Sequence, residues 1–356
     1  MATTEVRRKM EVGQVIEQVK EWVLGEGSEI PGFCGTYLVG GINAMPSDEP
    51  FPYYCDVDLH IVLKEGGKSS DANLEVSYNG LILECGFKGL DEYSSPEAVL
   101  ANPHIAPNLV VNSIISDPTG QLTRVQREVA EAFAQRQWVM ARCAYEKERT
   151  LGHLEQLRQV KTPFEATVQL YWVANFLAGL IALASLKTPT HRKALVLMKE
   201  LLQGQGHLDL HEKLLDLLGY KHLRTDQVEF YLRECAAAFD CAIEVKKTPS
   251  FWDMKLRPHV RPYVIVGAQE MMDAGYYREA MFWIEVFLAI SIAAIQNDAP
   301  DADRLRFRNS LRQLFEDLGR STPDDWASRY LQACLVKDDI FDVADVILQS
   351  NPNIID

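Results

Sequence analysis

The 356-residue chain is 47% hydrophobic, long enough for two domains with their own cores, and carries a formal charge of −14. Its seven cysteines, an odd number with no Cys-x-x-Cys pair, argue against a disulfide framework or a zinc site and fit a reducing cytoplasm. Residues 1–120 hold 7 Lys+Arg against 18 Asp+Glu, a net of −11, and the remainder only −3; so acidic a first part disfavours a long nucleic acid and favours divalent metals and cationic small molecules.

Charge runs through Met1 to Lys20, so no signal peptide is expected there. Val12, Val15, Ile16, Val19 and Val23 recur at helical spacing and predict an amphipathic helix over 12–24. A strand over 33–39 ends at Gly40-Gly41. The spacer 42–55, with Pro46, Pro50 and Pro52, reads as a surface excursion. The next strand, 57–64, is opened by Asp56 and Asp58. Successive strand side chains alternate faces, so these two carboxylates project together while Val57, Leu59, Ile61 and Leu63 turn into a core. Two carboxylates on one rigid edge beside a glycine turn suit Mg²⁺ carrying a nucleoside triphosphate.

Strands at 73–78 and 81–87 form a hairpin across Asn79-Gly80, the strongest short hairpin signal. Glu84 sits on the face opposite Leu81, Leu83, Cys85 and Phe87, and a carboxylate in so apolar a strand needs a partner or a cation. Between the strands, Gly66-Gly67-Lys68-Ser69 is not a phosphate-binding loop, because Val62 stands where that pattern needs glycine. A last strand is expected over Leu109 to Ile115, and the Asp117-Pro-Thr-Gly120 turn marks a boundary between domains of 1–120 and 121–356.

The glycine pair Gly40-Gly41, the acidic-x-acidic strand start Asp56-Val57-Asp58 and the later Glu84 resemble the nucleotidyltransferase superfamily, in particular the antibiotic (aminoglycoside and lincosamide type) enzymes. Ile115-Ser-Asp-Pro-Thr-Gly120 is similar to the phrase that ends their catalytic domain. The chain departs from them in its long spacer and in having Gly41 where the family often has Ser. The resemblance implies an α+β protein: a small mixed-sheet nucleotidyltransferase domain followed by an all-α helical bundle. It further implies an antibiotic-resistance type of activity, two Mg²⁺ ions held by Asp56 and Asp58, and ATP or another triphosphate approached by the backbone at Gly40 and Gly41. Glu84 would be either general base or third metal ligand. A homodimer is also implied.

Past residue 120 helices are expected over 122–160 (one or two), 163–186, 190–204, 207–218, 225–245, 261–274, 278–295, 301–318 and 325–349. The longest apolar run, Val286 to Ile295, is too short for a bilayer and reads as a buried helix. With Thr190 as N-cap, Arg192 and Lys193 fall in a first helical turn, an anion site for the triphosphate or else a solvated basic pair. Lys161 is a weaker cation of the same kind. Asn175 and Glu285 lie on apolar helices, as an acceptor pocket and a base or as a satisfied core amide and an ion pair with arginine. Cys55 and His60 border the acidic pair and have structural readings as buried strand residues.

Two functions follow. One is a Mg²⁺-dependent enzyme moving a nucleoside monophosphate from a triphosphate to a hydroxyl of a small, cationic acceptor, without long nucleic acid or membrane. The other is the same fold serving as a catalytically weak nucleotide- or ligand-binding module.

Overall fold

A computed structural model of the chain describes residues 10–64, 74–250 and 252–356. The Gly66–Ser69 stretch lies outside them. The architecture is α+β: a five-stranded mixed sheet in the first part of the chain, then helix after helix. Two compact units divide it. The first runs to Tyr145 and takes back Leu186–Thr188 and Asn351–Asp356; the second comprises Glu146–Ser185 and Pro189–Ser350.

In the first unit, helix α1 (Val12–Gly25) precedes strands β1 (Phe33–Val39), β2 (Val57–Leu63), β3 (Leu74–Tyr78) and β4 (Leu81–Gly89). Short helices α2 (Pro96–Leu100) and α3 (Ala106–Leu109), strand β5 (Ile114–Ser116) and helix α4 (Gln121–Ala132) follow. The spatial order is β3-β4-β2-β1-β5, with β2 and β4 parallel and the other neighbours antiparallel. Asn79 and Gly80 both take positive φ (47° and 84°), the geometry of a two-residue hairpin turn. The strand expected over 109–115 is a correction: Pro107 starts a helical turn through Leu109, and only Ile114–Ser116 pair with β1.

Alternation gives each face of the sheet its own core. Val57, Leu59, Ile61, Leu81, Leu83 and Cys85 pack with Val15, Val19 and Trp22 of α1. On the other face Tyr37 and Val62 pack with Tyr93, Leu109, Leu122 and Val125. The carboxylate-bearing positions share that second face. Residues 351–356 also belong to this unit: Ile355 N–H donates to Ala134 O at 3.0 Å, and Ile355 O accepts from Arg136 N–H at 2.7 Å.

Helix α5 (Arg136–Arg158) passes from the first unit into the second. The second unit continues with α6 (Pro163–Ala184), α7 (Ala194–Gly204), α8 (Leu208–Leu217), α9 (Thr225–Val245), α10 (Val260–Asp273), α11 (Tyr277–Asp298), α12 (Asp301–Asp317) and α13 (Pro323–Ser350). Helices α6 and α11 are long and apolar enough to cross a membrane by composition, yet 83% of each apolar window is buried within the protein, as in a core helix.

The core helices bury few charged groups, and Glu146 is one of them. Glu146, 2% exposed, rests against Gly179 of α6, where a Cβ would come within 3.2 Å of its Oε2. Burial pushes its carboxyl from 4.5 up to about 8, with the Arg149 guanidinium acting in the opposite direction. The folded protein therefore keeps a proton that the unfolded chain has released. The stability this group contributes is full below pH 4.5 and is lost as pH rises towards 8, at on the order of 1.4 kcal/mol per pH unit. Glu146→Gln is expected to raise the melting temperature at pH 8 and leave it nearly unchanged at pH 4.5, as thermal melts at the two pH values would register.

Candidate active site

The site is built on three neighbouring chain positions of one sheet face. Asp56 stands just before β2, Asp58 is its second residue, and the parallel register sets Asp58 beside Glu84 of β4. One carboxylate oxygen from each of Asp56, Asp58 and Glu84 can be chosen so that all lie within 4.8 Å of one another. All three residues are half-buried. Oxygen donors at this spacing fit a hard divalent cation such as Mg²⁺ far better than a soft metal. A cation among like charges so close would offset their mutual repulsion, so the arrangement is consistent with ion binding.

The antiparallel β3–β4 register adds Glu75 opposite Glu84, a fourth carboxylate bordering the same row. Sequence reading missed it, although the signal was present. A two-residue turn at Asn79-Gly80 pairs Tyr78 with Leu81, and counting outward from that pair reaches Glu75 and Glu84.

The glycine pair enters a 3-10 turn, Gly40–Ala44, at the end of β1, where Val39 pairs with Asp58. Its two members differ. Gly40 has φ +77°, and a Cβ there would stand 3.1 Å from Oδ2 of Asp58. Its N–H donates to Oδ1 of Asn108 at 2.9 Å, so this amide has an acceptor within the protein. A Cβ on Gly41 would meet no heavy atom within 4 Å among the described residues. Gly40→Ala is expected to cost about 1–2 kcal/mol through the left-handed backbone alone, besides crowding Asp58. Gly41→Ser should change stability by no more than about 0.5 kcal/mol. Urea denaturation of both variants checks the contrast.

The 42–55 spacer turns back to the start of α1. There Glu49 O accepts from Val12 N–H at 2.9 Å, and Ser47 O accepts from Gly13 N–H at 2.8 Å. These carbonyls satisfy amides that the helix leaves without internal partners. Phe51, 5% exposed, anchors the segment in the α1 core.

His60 follows Asp58 on the same face, with Nδ1 2.7 Å from Tyr37 Oη, which in turn lies 2.8 Å from Tyr93 Oη. Burial, then the Lys88 and His104 charges, push its pKa down to about 3, so the ring is neutral and structural. Burial likewise raises the Cys85 thiol to about 12, helped by the Glu84 and Asp58 charges, and leaves it inert. Cys55 is half-buried beside Asp56.

The remaining predicted residues belong to the second unit. Helix α7 starts at Ala194, not Thr190, so Arg192 precedes the helix and Lys193 occupies the cap position. Arg192 is 8% exposed. Its guanidinium lies over the Tyr263 ring at 4.7 Å, fits where Gly267 has no side chain, and is 3.9 Å from Glu270. Residues 263, 267 and 270 share one face of α10, so the arginine is docked along that helix. Lys193 is exposed, with Nζ 3.5 Å from the same Glu270. Asn175 Oδ1 is 3.2 Å from His191 Nδ1, which agrees with a satisfied core amide. Glu285 is held by Arg320 at 2.7 Å, the ion pair that its apolar helix called for.

No family model matches this sequence, and no curated protein matches it. Among solved structures, the nucleotidyltransferase-like protein from Exiguobacterium sibiricum 255-15 is similar over 85% of this chain and 90% of that one, at 13% identity and a TM-score of 0.30. A likeness of that size establishes neither family nor activity.

Proposed function

We propose that the first unit is the catalytic domain of a Mg²⁺-dependent nucleotidyltransferase that transfers AMP from ATP to a hydroxyl of a small, cationic acceptor such as an aminoglycoside. The observation that carries this reading is the Asp56–Asp58–Glu84 cluster on adjacent strands beside the Gly40 turn. Asp56 and Asp58 hold the metal, and Glu84 either completes its ligands or accepts the hydroxyl proton. Mg²⁺ at these carboxylates supplies charge neutralisation for the triphosphate and the leaving group. The acceptor oxygen bonds to the α-phosphorus as the bond from that phosphorus to the β-bridging oxygen breaks, and pyrophosphate leaves. Gly41 is the member of the pair assigned to phosphate, since the Gly40 amide is engaged by Asn108.

Within the second unit, buried Arg192 supports the start of α7. The net charge of −11 over residues 1–120 supports a cationic acceptor. Seven cysteines, all with free thiols, support a reducing, cytoplasmic setting.

The test is Mg²⁺-dependent pyrophosphate release from ATP with a panel of aminoglycosides and lincosamides. Release that requires one acceptor supports the proposal and names the acceptor class. Mg²⁺-dependent ATP binding without release across the panel favours a binding module, and no ATP binding overturns the reading of the site.

A further inference from the structure

Asn108 lies 50 residues from Asp58 in the sequence, and no motif marks it. It is 4% exposed, on the four-residue helix α3, with every polar group of its side chain engaged. Its Oδ1 accepts from the Gly40 N–H at 2.9 Å and from Asn43 Nδ2 at 3.4 Å. Its Nδ2 donates to His104 O at 2.9 Å, within α3 and the turn before it. Asn43 Nδ2 also donates to Leu38 O at 2.9 Å, so the far side of the glycine turn is tied to β1. The amide of Asn108 thus bridges α3 to both ends of a turn whose first glycine faces the Asp58 carboxylate.

We infer that Asn108 is a positioning residue for the triphosphate: it fixes the Gly40 turn at a set distance from the metal-binding carboxylates without touching the nucleotide. The inference rests on the nucleotidyltransferase reading of the site. A buried amide oxygen suits the task because it accepts two hydrogen bonds while adding no charge beside an already acidic cluster. A carboxylate there would add to the repulsion, and an apolar side chain would leave the Gly40 amide without its protein acceptor.

In Asn108→Ala the turn loses its clamp, and KM for ATP is expected to rise about tenfold, the cost of one unsatisfied buried donor, with a smaller fall in kcat. Ser113→Ala is the structural control. It removes the 2.6 Å bond from Ser113 Oγ to the Asn108 carbonyl and loosens the same segment without touching the side-chain amide, so KM should hold. Amide hydrogen exchange on the wild type gives a readout that needs neither turnover nor a variant, with the Gly40 N–H expected to be protected. An unchanged KM in Asn108→Ala, an equal rise in Ser113→Ala, or fast exchange at Gly40 in the wild type would each overturn the role while leaving the enzyme reading intact. A wild type that neither binds Mg·ATP nor releases pyrophosphate overturns both.

Discussion

Asp58→Asn is expected to lower Mg²⁺-dependent pyrophosphate release by roughly a thousandfold or more, the several kcal/mol that a metal ion contributes to stabilising transition-state charge. The substitution preserves shape and removes one charge at the centre of the row. Asp58 lies between Val39 of β1 and Glu84 of β4, and its carboxylate faces Gly40. The fold should not suffer. Asn keeps the size and shape of the side chain, so the melting temperature should hold while activity disappears. Measured together, turnover and thermal melts separate a functional loss from an unfolded variant. Retained turnover in a folded Asp58→Asn protein would end the assignment.

The largest expected loss of stability lies in the second unit, at Arg320. The residue is 1% exposed, and its Nη2 donates to Glu285 Oε2 at 2.7 Å and to Leu218 O at 3.2 Å. The Tyr220 hydroxyl donates to the same Glu285 oxygen, and Glu285 is itself 2% exposed on the core helix α11. Arg320→Met would remove the cation and leave the carboxylate buried, at a cost of about 3–5 kcal/mol. Adding Glu285→Gln should return part of that loss, because an amide is far cheaper to bury than an unpaired charge. Chemical denaturation of the single and double variants measures both. A loss below about 1 kcal/mol for Arg320→Met would mean that the pair contributes little.

Much of this fold was readable wherever local chemistry and tertiary demand agree. Asn79-Gly80 fixed a hairpin and its register, alternation along 57–63 separated the carboxylates from the core, and the helix over Thr225–Val245 matches the observed bounds. The errors fall where distant contacts decide. Leu109 to Val111 are apolar enough for a strand, but Pro107 and the Asn108 side chain hold part of that stretch in a turn. Thr190 has the composition of a cap, yet Arg192 is drawn onto Tyr263 and Gly267, more than 70 residues away, and the helix begins later. A basic pair that read as one anion site consists of one docked and one exposed residue. Asp56 and Asp58 were visible because strand periodicity aligns them, and Glu84 because it interrupts an apolar strand; the parallel β2–β4 register is what brings Glu84 beside Asp58. Asn108 was not, because nothing local in the sequence connects it to Gly40.

The closure of residues 351–356 onto residues 134–136 has a consequence for how the protein is made. The sheet-bearing unit emerges first from the ribosome, but its final backbone pairing at Ile355 must wait for the whole helical unit to be translated. At ordinary elongation speeds that interval is on the order of ten seconds or more. During it, the edge around Ala134 to Arg136 lacks its eventual neighbour and is open to chaperones or to another nascent chain. Deleting residues 351–356 would therefore damage the sheet-bearing unit, although the helical unit lies next to them in the chain.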